Sequence, residues 1–169
     1  MPGKTIVIGI GNTLLTDEGV GVRAVNAIKP AFSADQSIEF IDGGTLSFTL
    51  INYFDQNDNL IIIDATNLQL DSGSIKVFVG DEVKQFLEYY TPNSVHDVNL
   101  FDILCIARLM NRYPQNLALI AVQPEIMTWG THLTQAVAEA LPQIESDVSN
   151  LLDQWTKIYA QTYTNQVSE

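Results

Sequence analysis

Three short β-branched runs limit the architectures open to this chain. Lys4-Thr5-Ile6-Val7-Ile8-Gly9-Ile10, Asn59-Leu60-Ile61-Ile62-Ile63-Asp64-Ala65 and Leu117 to Val122 are apolar almost throughout. A strand with one wet face alternates apolar and polar residues; a strand covered on both faces does not. These runs therefore predict central parallel strands. Helical patterns separate them. Glu18 to Ile28 has an apolar face of Val20, Val22, Ala24, Val25 and Ile28, with Thr16 or Asp17 as its cap and Lys29-Pro30 as its end. Ser37 to Ile41 reads as a second strand, Asp42-Gly43-Gly44-Thr45 as a turn, and Ser47 to Phe54 as a helix. Gly73 to Val79 alternates less cleanly and suits an antiparallel edge strand. Asp81 to Tyr89 is a short helix, Thr91 to Val98 a loop, and Val98 to Arg112 an amphipathic helix. A long helix from Thr131 to Tyr159, bent or restarted at Pro142, closes the chain.

Strands alternating with helices predict one α/β domain, residues 1–161, followed by a frayed polar tail, 162–169. The sheet is expected to be doubly wound and mostly parallel, with helices on both faces and right-handed crossovers. Ligands in such folds bind beyond the carboxyl ends of the strands.

Net charge is -12 at a pI near 4.3. Such a surface repels phosphate backbones and anionic lipid, so neither nucleic acid nor membrane is expected as a partner. The single cysteine, Cys105, rules out an internal disulfide and a cysteine-based zinc site. Its apolar setting, Ile103 to Ala107, predicts a small buried hydrophobe. The first apolar run is too short for a signal or a span, which favours a cytoplasmic location. A monomer is expected, because no long apolar seam is evident.

The first strand–helix junction tempts a dinucleotide reading, but the third glycine of that fingerprint falls at Leu14. Asp17-Glu18-Gly19-Val20-Gly21 carries more information. A carboxylate at a helix start is commonly a cap or a dipole partner. That does not explain Gly19 and Gly21, which cost helix stability and let something approach the backbone closely. Asp64 ends the most apolar strand, where a turn acid or a crevice-facing functional acid both fit. His96, in Asn93-Ser94-Val95-His96-Asp97, is a surface histidine or a ligand. His132 needs no more than a surface role at a helix start. Asp42 either bonds its own loop amides, or those exposed amides bind an extended peptide. Gln123-Pro124-Glu125 ends the later strand on the same edge and is expected to shape the crevice. Glu18, Asp64 and His96 together make a ligand set for a divalent transition metal with positions left open.

In order along the chain, these segments resemble the hydrogenase maturation endopeptidases. The resemblance rests on Gly11 to Val22, Asp42-Gly43-Gly44-Thr45, Ile63-Asp64-Ala65, Ser94-Val95-His96-Asp97 and Val122-Gln123-Pro124-Glu125 with Gly130. It covers roughly residues 4 to 140. It implies an enzyme that trims the C-terminal extension from the precursor of a nickel–iron hydrogenase large subunit. It implies Glu18, Asp64 and His96 as metal ligands, engaging nickel already inserted in that precursor, with cadmium or zinc as substitutes in vitro. Asp42 matches an acid implicated in activity through substrate positioning. On the chemistry of such a site, Asp17 or Asp42 would help orient the peptide or water. The chain departs from the family at Leu46-Ser47-Phe48, at Thr66 to Gly73, where a common Pro-Gly is missing, and at Asp97, where Glu is frequent. A non-catalytic assembly factor and a nucleotide-binding module are the competing readings.

Overall fold

The uniformly apolar runs form the middle of the sheet. The computed structural model describes residues 4–45, 48–55, 58–89 and 100–166. Its strands are β1 (Thr5–Ile10), β2 (Ile38–Gly44), β3 (Asn59–Ala65), β4 (Ile75–Val79) and β5 (Asn116–Val122). They stand in the order β2-β1-β3-β5-β4, with every pair parallel except β4 with β5. All six residues of β1 are buried, as a strand covered on both faces requires.

Successive side chains go to opposite faces. Ile6, Ile8, Leu60, Ile62, Leu117 and Leu119 pack under the helices α2 (Asp81–Tyr89) and α3 (Leu100–Leu109) and a 3-10 turn, Phe48–Tyr53. Val7, Ile61, Ile63, Ala118, Ile120 and Val122 pack under α1 (Val20–Ile28) and α4 (Gln135–Gln166). Helices on both faces of a mostly parallel sheet are what the sequence pattern predicts. Register is held at the strand starts by the buried amide of Asn59 and the half-buried one of Asn116: Asn59 Nδ2 donates to Thr5 Oγ1 at 3.0 Å, and Asn116 Nδ2 to Asn59 Oδ1 at 2.8 Å. The partners face each other across the parallel pairs, Thr5 opposite Asn59 and Asn59 opposite Asn116. No helix among the described residues is long and apolar enough to cross a membrane.

Several boundaries differ from the sequence reading, each for a local reason. β2 continues through Asp42 and Gly43 to Gly44, because the Gly11 N–H reaches the Gly44 carbonyl at 2.8 Å past a bulge at Gly9/Ile10. The helix expected from Ser47 is the 3-10 turn Phe48–Tyr53. The one expected from Glu18 opens as a 3-10 turn, Thr16–Gly19, with no side-chain cap from Leu15 or Gly19. At the other end the α-helix stops at Ile28, as expected, and Lys29-Pro30 opens a further 3-10 turn, Lys29–Phe32. α3 ends at Leu109, short of the expected Arg112; Asn111, at φ 56, turns the chain so that the Arg112 N–H caps the Ala107 carbonyl at 2.8 Å. α4 runs unbroken through Pro142, which is exposed, as is Ala138, whose carbonyl loses its helical partner to the proline. The helix also takes in Thr162–Gln166, part of the expected tail. The loop expected at Thr91 to Val98 lies outside the described residues.

Cys105 is exposed, not buried. Leu100, Ile103, Leu104 and Ala107 are the buried positions of α3, and one residue past Leu104 turns away from them. Native protein should therefore react stoichiometrically with a maleimide within minutes at pH 7.5, without denaturant. Labelling seen only after unfolding would show that the thiol is covered.

Candidate active site

The order of strands reverses between β1 and β3, since the chain passes from β1 to β2 on one side and then to β3 on the other. In an open sheet the crevice at such a reversal is where ligands bind. Glu18 lies in the turn after β1, and Asp64 closes β3. The two acids thus come to one crevice from positions 46 residues apart in sequence, 64 less 18. Each is partly buried.

Their electrostatics follow from this placement. Burial pushes the Asp64 carboxyl up to about 8; the Ala65 backbone N–H works against the rise and the Glu18 carboxylate adds to it. Glu18 is oriented by the chain itself, its Oε2 accepting the Asn12 N–H at 2.9 Å. Two acids on a poorly hydrated edge, one raised by burial and further by the other, are the donor chemistry that a divalent cation relieves. His96, the third expected ligand, lies outside the described residues. Among the described residues no three His, Cys, Asp or Glu side chains gather as a metal cage.

Asp42 stands on the same edge, opposite Gly9 in the β1–β2 register, and is exposed. Its Oδ1 accepts the Gly44 N–H at 2.9 Å, so the loop-amide role expected of it is real, and its other oxygen faces no partner among the described hydrogen bonds. Gln123 does shape the edge: its Oε1 accepts the Leu68 and Leu70 N–H groups at 2.7 and 3.4 Å, holding the β3–β4 loop. His132 is exposed, and its Nδ1 pairs with Thr131 Oγ1 at 3.1 Å, consistent with a surface role.

Asp17 is neither a cap nor a group available to substrate. It is 0% exposed. Its Oδ2 accepts the Glu125 and Ile126 N–H groups and the Thr134 hydroxyl, and its Oδ1 accepts the Thr134 N–H, all between 2.7 and 3.0 Å. The acid is a staple joining the Glu18 turn to the 124–134 loop. No local spacing signals this, because its partners lie more than a hundred residues away. Burial pushes its carboxyl up, but the bonds from Ile126, Thr134 and Glu125 outweigh burial and leave it below the usual carboxylate range. A depressed carboxylate adds stability that is complete above its unfolded pKa, near 4, and is lost as pH falls through the lower folded value. Asp17→Asn leaves buried donors facing an amide and is expected to cost about 2–4 kcal/mol at pH 7. The gap between wild type and variant in urea unfolding should narrow as pH falls below about 4. A gap that is the same at pH 7 and pH 2.5 would refute the staple.

The glycines do permit close approach, but to the chain's own backbone. A Cβ on Gly9 would sit 2.1 Å from the Gly21 carbonyl oxygen, and one on Gly11 would sit 1.8 Å from that of Glu18. Gly19 and Gly21 are likewise pressed against Thr13 and against Ile63 and Ile10. The first turn is filled by the chain that follows it, which leaves no cradle for a pyrophosphate and removes the nucleotide reading.

A sequence profile for hydrogenase maturation proteases matches residues 22–151. That stretch contains Asp42, Asp64 and His96, with Glu18 just ahead of it. This chain belongs to the hydrogenase maturation protease family. It is 35% identical over 153 residues to the hydrogenase expression/formation protein HupD of Rhizobium leguminosarum bv. viciae, across 90% of this chain and 75% of the relative. It is 31% identical to the hydrogenase 2 maturation protease of Escherichia coli K12 over 151 residues, covering 89% and 87%. Its fold superposes on the hydrogenase maturating endopeptidase HybD from E. coli with a TM-score of 0.77 at 29% identity, covering 89% and 93% of the two chains. The hydrogenase maturation protease family is one of peptidases, which replaces the non-catalytic alternative.

Proposed function

We propose that this protease removes the C-terminal extension from the nickel-loaded precursor of a nickel–iron hydrogenase large subunit. In this reading Glu18, Asp64 and His96 engage the nickel, which arrives with the substrate. The meeting of Glu18 and Asp64 at the β1/β3 reversal carries the reading. It puts two hard oxygen donors where a peptide-borne metal has access, and it fits a family whose members mature hydrogenases. When bound, the ion supplies Lewis acidity beside the scissile bond.

The chain's own groups do the rest. The Asn12 N–H holds Glu18 in place. Asp17, through the 124–134 loop, fixes the turn that carries Glu18. Asp42, exposed on the same edge, orients the peptide by accepting a substrate N–H with the oxygen that its own loop leaves open. The enzyme works as a monomer in the cytoplasm.

The test is mass spectrometry of purified precursor, prepared with and without nickel, after incubation with the enzyme. Loss of the tail from the nickel-loaded form alone is expected. Equal cleavage of both forms would remove nickel from the recognition, and intact mass in both would overturn the substrate.

A further inference from the structure

We infer that Leu14, Ile126, Met127 and Trp129 form a fixed docking platform for the hydrogenase precursor, meeting a segment of it that carries both apolar and basic side chains. This rests on the reading that the precursor is cut at the edge holding Glu18 and Asp64.

The four side chains are 51%, 43%, 51% and 82% exposed, although they are apolar and gain nothing from water. They lie on two loops tied to each other. The Thr16 N–H donates to the Gly130 carbonyl at 2.8 Å, and the Gly130 N–H donates to the Leu14 carbonyl at 2.9 Å. Thr16 Oγ1 donates to the Ile126 carbonyl at 2.5 Å and accepts the Thr128 N–H at 3.3 Å. The Asp17 staple lies beneath them. A loop that merely tolerated stray hydrophobes would need no such ladder. Apolar groups held in place on short tethers lose little entropy when a partner covers them. Tryptophan and methionine are also residues that interfaces favour.

Two features select the occupant. The platform is continuous with the candidate site: the same ladder that fixes Ile126 to Trp129 runs into the turn bearing Glu18. A precursor that presents its metal to Glu18 therefore comes to the loops that bear these side chains. Charge selects further. The segments 9–19, 42–45, 64–74 and 123–134 contain Asp17, Glu18, Asp42, Asp64, Asp71 and Glu125, and no lysine or arginine. Arg23, the nearest cation in sequence, turns its guanidinium onto the Thr13 and Thr131 carbonyls. An apolar surface in an acidic field suits a partner segment with basic residues among its apolar ones.

The experiment compares wild type with Met127→Ser/Trp129→Ser and, separately, Leu14→Ser, on the other strand of the ladder. Steady-state processing of nickel-loaded precursor is measured, together with the Kd for uncut precursor in a Glu18→Gln background. Both platform variants should raise KM and Kd by about tenfold or more with kcat within about twofold. Leu109→Ser, a largely exposed apolar residue on α3, should change neither. Raising salt from 50 to 300 mM should weaken Kd by a similar factor. Unchanged KM and Kd in both platform variants would overturn the proposal, and a salt-independent Kd would overturn the basic character of the partner segment. A wild-type dimer that the double variant converts to monomer in sedimentation would show that a second copy occupies the face, and would also overturn it. If wild type leaves the precursor uncut, the proposed function falls; if it cuts while the platform variants match it, only the platform falls.

Discussion

Glu18→Gln is expected to abolish processing of nickel-loaded precursor while leaving the fold intact. The two expectations have separate causes. Glutamine keeps the length of glutamate and an acceptor oxygen, so the Asn12 N–H retains its 2.9 Å partner. It also removes the like charge that faces Asp64, so the melting temperature should stay the same or rise slightly. A neutral amide is a much poorer ligand for a hard or borderline cation than a carboxylate. Losing one anionic ligand removes several kcal/mol of stabilisation where charge develops. At about 1.4 kcal/mol per tenfold, that is roughly a thousandfold in rate or more. Single-turnover cleavage and a thermal melt, run on one preparation, check both parts. Activity within tenfold of wild type would remove Glu18 from the ligand set, whatever the melt showed.

The case for Glu18 was partly legible in the sequence, and the part that was not has a physical reason. Uniformly apolar runs mark strands covered on both faces, so β1, β3 and β5 stand out, and a loose alternation marks β4 as the antiparallel edge. Those runs also mark their own polar ends, which is how Asp64 becomes a candidate. What they do not encode is which strand neighbours which, and the strand order is what turns two separate acids into one crevice. The role of Asp17 is hidden because a carboxylate at a helix start has a ready local explanation. Its real partners, at Glu125, Ile126 and Thr134, are brought to it only by the fold. Cys105 was misread for the converse reason: an apolar neighbourhood in sequence mixes the two sides of a helix, and only the helical period separates them.

The Gly9–Gly21 contact holds the site to the sheet, and Gly21→Ala should show it with the largest loss of stability among these predictions. A Cβ on Gly21 would stand 2.1 Å from the Ile63 carbonyl oxygen, 2.4 Å from that of Ile10 and 2.7 Å from the Ile10 nitrogen. All three are backbone atoms of central strands buried between two layers of helices, so none can swing aside as a side-chain tip would. Relief requires α1 to lift off β1 and β3. That would open the packing of Val20, Ala24 and Val25 on Val7, Ile61 and Ile63. Helix propensity favours alanine by about 1 kcal/mol, which works against the effect but is the smaller quantity. Overpacking of this kind costs about 3 kcal/mol or more, a large share of the roughly 5–15 kcal/mol that holds a domain together. In a chain of this size that is a fall in Tm of roughly 6–12 °C. Lifting α1 also carries the Glu18 turn away from Asp64, so folded Gly21→Ala should lose processing beyond what its unfolded fraction explains. Gly44→Ala is the control, because its Cβ would meet open space and only its φ of 55 is unfavourable. A Gly21→Ala variant as stable as wild type would mean that α1 does not sit on β1 and β3 as closely as described, and with it would go the geometry that brings Glu18 to Asp64.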